Sequence, residues 1–160
     1  MTLPRPRVFA FRVLIPLLLL SFLGTGVRAQ NGHFEGVWEG TMIVGGLEGT
    51  PLPVQLYLTA EGRKVTGRSY VQLPNGEVLQ MDLAGHTYRD GSLSLTEIRF
   101  AGDPENSIMP EFNRQYQILY KADIWNPELR GYWQEVTEDA LNPKRRLGRL
   151  RLKRRKADGA

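Results

Sequence analysis

The sequence contains no cysteine. No disulfide can brace the fold, no lipid can be carried on a lipoprotein cysteine, and no thiolate can serve as nucleophile or zinc ligand. Histidine is nearly as scarce: His33 and His86 are the two in the chain and lack metal-ligand spacing. There is also no glycine-rich phosphate loop and no G-x-S-x-G. The sequence therefore supplies no catalytic set, no metal set and no cofactor motif. D103-P-E-N106 offers oxygen ligands without the spacing of a calcium loop. An N-x-S/T sequon with a permitted middle residue is missing as well.

Long apolar runs are equally absent. The one candidate, V13-L-I-P-L-L-L-L-S-F-L23, is short for a membrane span and is interrupted by Pro16. Arg5, Arg7 and Arg12 precede it with no acid among them, and V27-R-A29 places small residues where a signal peptidase reads. Residues 1–29 thus read as a signal peptide cleaved near Ala29–Gln30, and the protein is expected to be secreted or periplasmic. Cleavage leaves about 130 residues, enough for one core and too few for two comfortable domains. A single domain over 30–156 is expected, with 157–160 a disordered tail and no membrane span after cleavage.

A strong net charge is missing too, despite a sequence pI near 9.6. Four of the 21 Lys and Arg residues lie in the signal, leaving 17 bases against 17 acids. The remaining charge is segregated. From Gln30 to Pro143 there are 8 bases and 16 acids, whereas from Lys144 onward 9 bases face Asp158 alone. A nucleic-acid partner argued from overall basicity has no footing.

What the chain does have is alternation. Apolar residues recur at every second position in eight segments bounded by turn signals. They are H33-F-E-G-V-W-E-G-T-M-I-V44, then 52–58, 64–71, 78–85, 92–100, 114–122, 129–135 and 146–153. Asn75-Gly76 and Asp90-Gly91 supply hairpin chemistry. The alternation slips near Glu97, which predicts a bulge or strand end. No segment has convincing helical periodicity. Short links favour antiparallel neighbours, so the expected fold is all-β, an eight-stranded antiparallel up-and-down barrel. A β-sandwich is the alternative, with 101–113 as the one connection long enough for a Greek key.

Gly36-Val37-Trp38, on the first of eight strands, resembles the Gly-x-Trp motif of lipocalins and related calycin barrels. The resemblance implies that Trp38 packs across the closed end of a barrel and that a basic residue of the last strand lies over its ring. Arg146 and Arg154, at the two ends of the last strand, are the candidates, with Gly36 giving room. The opening strands are also similar to avidin-like barrels and to nitrobindin-type barrels. The latter need a late His for haem, which this chain lacks.

The best lead to a pocket is aromatic. Tyr116 and Tyr120 share one strand face and Trp133 lies on another. Together they imply binding of a small apolar or amphipathic ligand within the barrel. The competing reading is that they fill the core, leaving a packed-core interaction or envelope-associated module that works through its surface. An enzyme ranks third, with Asp82, Glu97 and Glu135 the carboxylates to consider. For the basic segment K144–K156 the expected role is a solvated strand face in which Arg149, Arg151 and Lys153 stand across from Glu35 and Glu39. The protein is expected to be monomeric.

Overall fold

The computed structural model describes residues 30–45, 49–105, 107–139 and 142–156. The expected signal peptide and the expected tail at 157–160 lie outside the described residues. A 3₁₀ turn, Gln30–His33, leads into eight strands: β1 Gly36–Val44, β2 Pro51–Glu61, β3 Lys64–Gln72, β4 Val78–Thr87, β5 Ser92–Phe100, β6 Arg114–Lys121, β7 Glu128–Glu135 and β8 Leu147–Arg154. Each pairs antiparallel with the next, and β8 pairs back onto β1, so the sheet closes into an up-and-down barrel. The sandwich alternative falls away, because closure leaves no sheet edge.

Strand phase explains the closure. Trp38 and Met42 of β1, Leu56 of β2, Val65 and Val71 of β3, Leu83 of β4 and Leu93 and Leu95 of β5 all point inward and are buried. Ile118, Leu129, Trp133 and Leu152 complete the wall from β6, β7 and β8. Burying each of these side chains contributes about 1.5–3 kcal/mol. An eight-stranded barrel is just wide enough for such side chains to fill it, and here they do.

The hairpins depart from the simplest expectation. Gly76 and Gly91 take positive φ, but Asn75 and Asp90 do not. Instead the Gly76 N–H donates to Leu73 O and the Gly91 N–H to Tyr88 O, while Asn75 and Asp90 each accept the N–H two residues on. These are four-residue turns with glycine in the left-handed position, the three-residue-loop hairpin rather than the two-residue one.

The slip near Glu97 is a bulge. Asp82 pairs with Arg99 and Leu83 with Glu97, so Ile98 has no partner across β4. The extra residue leaves Glu97 in phase with Leu93 and Leu95, facing inward, and turns Ile98 and Arg99 outward.

Candidate functional site

Among the described residues the interior holds a polar cluster contributed by β3, β5 and β6. Glu97 is its centre. Its carboxylate accepts the Tyr116 hydroxyl at 2.6 Å, the Arg114 backbone N–H at 2.8 Å and Arg114 Nη1 at 3.3 Å. Both partners come from β6, where Arg114 and Tyr116 are two apart and therefore share a face. The Arg114 guanidinium lies 5.0 Å from the Phe112 ring centroid and 5.5 Å from that of Trp133. Trp133 stacks on Phe112, and its indole N–H donates to Ile43 O at 3.1 Å.

Two buried polar atoms in this cluster, Ser69 Oγ and Arg114 Nε, have no hydrogen-bond partner of ordinary geometry. Burial, and then the negative charge of Glu97, push the Tyr116 phenol well above its usual range. It stays protonated and donates. The cluster is sealed by the wall around it, so it offers no base or nucleophile to solvent.

The opposite end is closed by Trp38. Its indole N–H donates to Phe34 O at 2.8 Å, and Tyr120 meets the indole edge-on. Arg154 lies over the ring with its guanidinium carbon 4.7 Å from the centroid and donates from Nη2 to His33 O at 2.6 Å. Arg146 is at the other end of β8, over Phe112 and ion-paired with Glu111. Gly36 has positive φ with open space around it. It is Gly40 that a side chain could not replace, because a Cβ there would strike the Arg151 carbonyl of β8.

The three aromatics named as pocket residues are thus divided between the two ends. Tyr116 and Trp133 stand opposite each other in the β6–β7 ladder, while Tyr120 lies four residues further along β6, stacked on His33 beside Trp38. Tyr116 and Trp133 are 0% and 1% exposed, so both are packed within the barrel wall. Asp82 faces outward but is covered by Arg68 and Arg99, which hold its carboxyl below the usual range.

Sequence reasoning left Glu97 unplaced and passed over Arg114. The signal was present, since Glu97 follows Leu93 and Leu95 at even spacing, and Arg114 precedes Tyr116 and Ile118 likewise. What hid it was Ile98, the apolar bulge residue that breaks the alternation.

On the outer face, β6, β7 and β8 carry Leu119, Arg130, Tyr132, Arg149 and Arg151 around a shallow groove with Thr41 and Ile43 of β1. Lys153 stands opposite Glu39, as the strand phase predicts, but Arg151 and Arg149 stand opposite Thr41 and Ile43. Arg151 finds its carboxylate on the other side instead, at Glu128 of β7, which also pairs with Arg130. These two guanidinium groups pull the Glu128 carboxyl down to about 2. Among the described residues no helix is long and apolar enough to cross a membrane.

The class this defines is a closed, eight-stranded, antiparallel all-β barrel, consistent with a lipocalin-like fold. No protein-family model, curated protein or solved structure matches the chain.

Proposed function

We propose that this is an exported, packed-core barrel that acts through its outer surface as an interaction module. One contrast carries the reading. The inward side chains fill the barrel, whereas Ile124, Trp125 and Tyr132 stand out into solvent. Ile124 and Trp125 are adjacent and form a contiguous exposed apolar patch, the kind of surface that marks an interaction site. Residues 1–29 supply the export step as a cleaved signal, after which Gln30 is the first residue. N-terminal sequencing of the protein recovered from a secreting host checks that step.

A second reading, a small apolar or amphipathic ligand held inside the barrel, is favoured by one observation. Arg114 Nε is a buried polar atom without a hydrogen-bond partner, and a ligand's polar head beside the stacked Phe112 and Trp133 rings would supply one. Native mass spectrometry of the secreted protein separates the two. The surface reading expects the bare polypeptide mass, with no shift on adding a panel of lipids and chromophores. A retained or added ligand at one-to-one stoichiometry, accompanied by a change in Trp133 fluorescence, establishes the second reading instead.

A further inference from the structure

Ile124 and Trp125 are the most exposed large apolar side chains among the described residues, at 92% and 81%. They are adjacent, at the apex of the β6–β7 connection. The apex is held rather than loose. Asp123 Oδ1 accepts the backbone N–H groups of Trp125 and Asn126, each at 2.9 Å, and these bonds keep its carboxyl below the usual range. Behind it, the Arg154 N–H donates to Pro127 O at 3.3 Å and ties the connection to the end of β8.

That tie brings cations alongside. Ile124, Trp125 and Pro127 share one shallow hollow with Lys153, Arg155 and Lys156. Two acids are near. Glu39 lies on the rim opposite Lys153, and Glu128 is already engaged by Arg130 and Arg151. The connections at the opposite end carry an acidic excess, with Glu77, Asp103, Glu105, Glu111, Glu138 and Asp139 against Lys144, Arg145 and Arg146. An anionic surface is therefore met more favourably by the Lys153–Lys156 end than by the other.

We propose that the Ile124–Trp125 apex and the cationic end of β8 form a docking edge for an anionic lipid surface. The proposal rests on the outer-surface reading and names its partner. An apolar apex flanked by cations is the layout of an interfacial anchor. The aliphatic side chain enters the acyl boundary, the indole lies at headgroup level, and Lys and Arg meet the phosphates. A nucleic-acid surface would place its aromatics for base stacking within the cationic groove, and here an isoleucine shares the apex. An acidic polypeptide would need its own cleft to receive a protruding indole.

The test uses the protein purified after export and vesicles of phosphatidylcholine with or without phosphatidylglycerol. Trp38 and Trp133 are buried, so a change at the solvent-exposed tryptophan is a change at Trp125. The expected result is co-sedimentation with the anionic vesicles, a blue shift of tryptophan emission, and loss of both at high salt. Trp125→Ala lowers the partition by about tenfold, and Lys153→Gln and Lys156→Gln each by about fivefold. All three side chains are on the surface, so the variants fold.

No sedimentation with anionic vesicles at low salt overturns the proposal, as does equal binding by Trp125→Ala or equal binding to pure phosphatidylcholine. Trp125-dependent binding to polyglutamate without vesicle binding overturns it in favour of an acidic polypeptide. None of these results touches the packed-barrel reading, which falls only to a stoichiometric internal ligand in native mass spectrometry.

Discussion

Arg154 covers Trp38: the guanidinium carbon is 4.7 Å from the indole centroid, and the same side chain donates to His33 O. The pair joins the last strand to the first across the plugged end. Arg154→Ala is expected to lower the unfolding free energy by about 1 kcal/mol, the range for a cation–π contact at an accessible site. Arg154→Lys restores part of it, because the ammonium keeps the charge but loses the planar fork. Urea denaturation of the three proteins reads the difference. A loss below about 0.3 kcal/mol would mean that the contact is incidental.

Glu97 is satisfied by Tyr116 and Arg114 and buried with them. Glu97→Ala is expected to cost about 3–5 kcal/mol, since it strands a buried guanidinium. Tyr116→Phe removes one donor and costs about 1–2 kcal/mol. Replacing both charges, as Glu97→Leu with Arg114→Met, is expected to recover most of the first loss. Chemical denaturation of the single and double variants forms the check. If the double variant is as unstable as Glu97→Ala, the cost lies in packing and not in the orphaned charge.

Acid should loosen the barrel through Glu128. Its folded pKa of about 2 is below the ordinary 4.5, so its ion pairs with Arg130 and Arg151 stabilise the fold in full above about 4.5. That stabilisation is lost as the pH falls from about 4.5 toward about 2. Asp82 shifts in the same direction, chiefly through its hydrogen bond to Arg99. The stability gap between the protein and Glu128→Gln should be constant from pH 7 to about pH 5 and close by about pH 2. Thermal melts along a pH series would show a gap that fails to close if the carboxylate's charge is irrelevant.

Gly148→Ala should be a severely damaging single methyl. A Cβ there would collide with the Ile43 carbonyl oxygen and lie 2.5 Å from Trp133 Nε1, the two atoms already joined by a hydrogen bond. Both are fixed, one in a ladder and one in a packed ring, so the strand must move. A loss of about 3 kcal/mol or more is expected. Gly36→Ala has space around it and is strained only in φ, so it should cost less. Circular dichroism melts of the two variants rank them, and the reverse order would refute the steric account.

Most of the fold was legible from residue order. The alternation located all eight strands, and β5 at Ser92–Phe100 has the bounds read from the sequence. Inward and outward faces followed wherever alternation ran unbroken. Two things were not legible. Alternation gives phase but not register, so Arg146 and Arg154 were equivalent until pairing of Trp38 with Arg154 set which end of β8 meets the plug. The same gap hid Glu128 as the partner of Arg151, because β8 has neighbours on both sides. Glu97 was lost to the bulge, where one unpaired Ile98 mimics a change of phase. Tyr116 and Tyr120 share a face yet belong to opposite ends, since four residues of strand carry them about 13 Å apart.

The ladder between β1 and β8 joins the first strand of the barrel to the last. Residue 38 is paired with residue 154, and Arg155 still reaches back to donate to Val37 O. Until the final strand is delivered, β1 and β7 are open edges and Arg154 is not there to lie on Trp38. A chain made or moved from its N-terminus can assemble local hairpins early, but the ring is shut by its most distant contact. Removing a few residues from the end of β8 would therefore take away ring closure and the cover on Trp38 together.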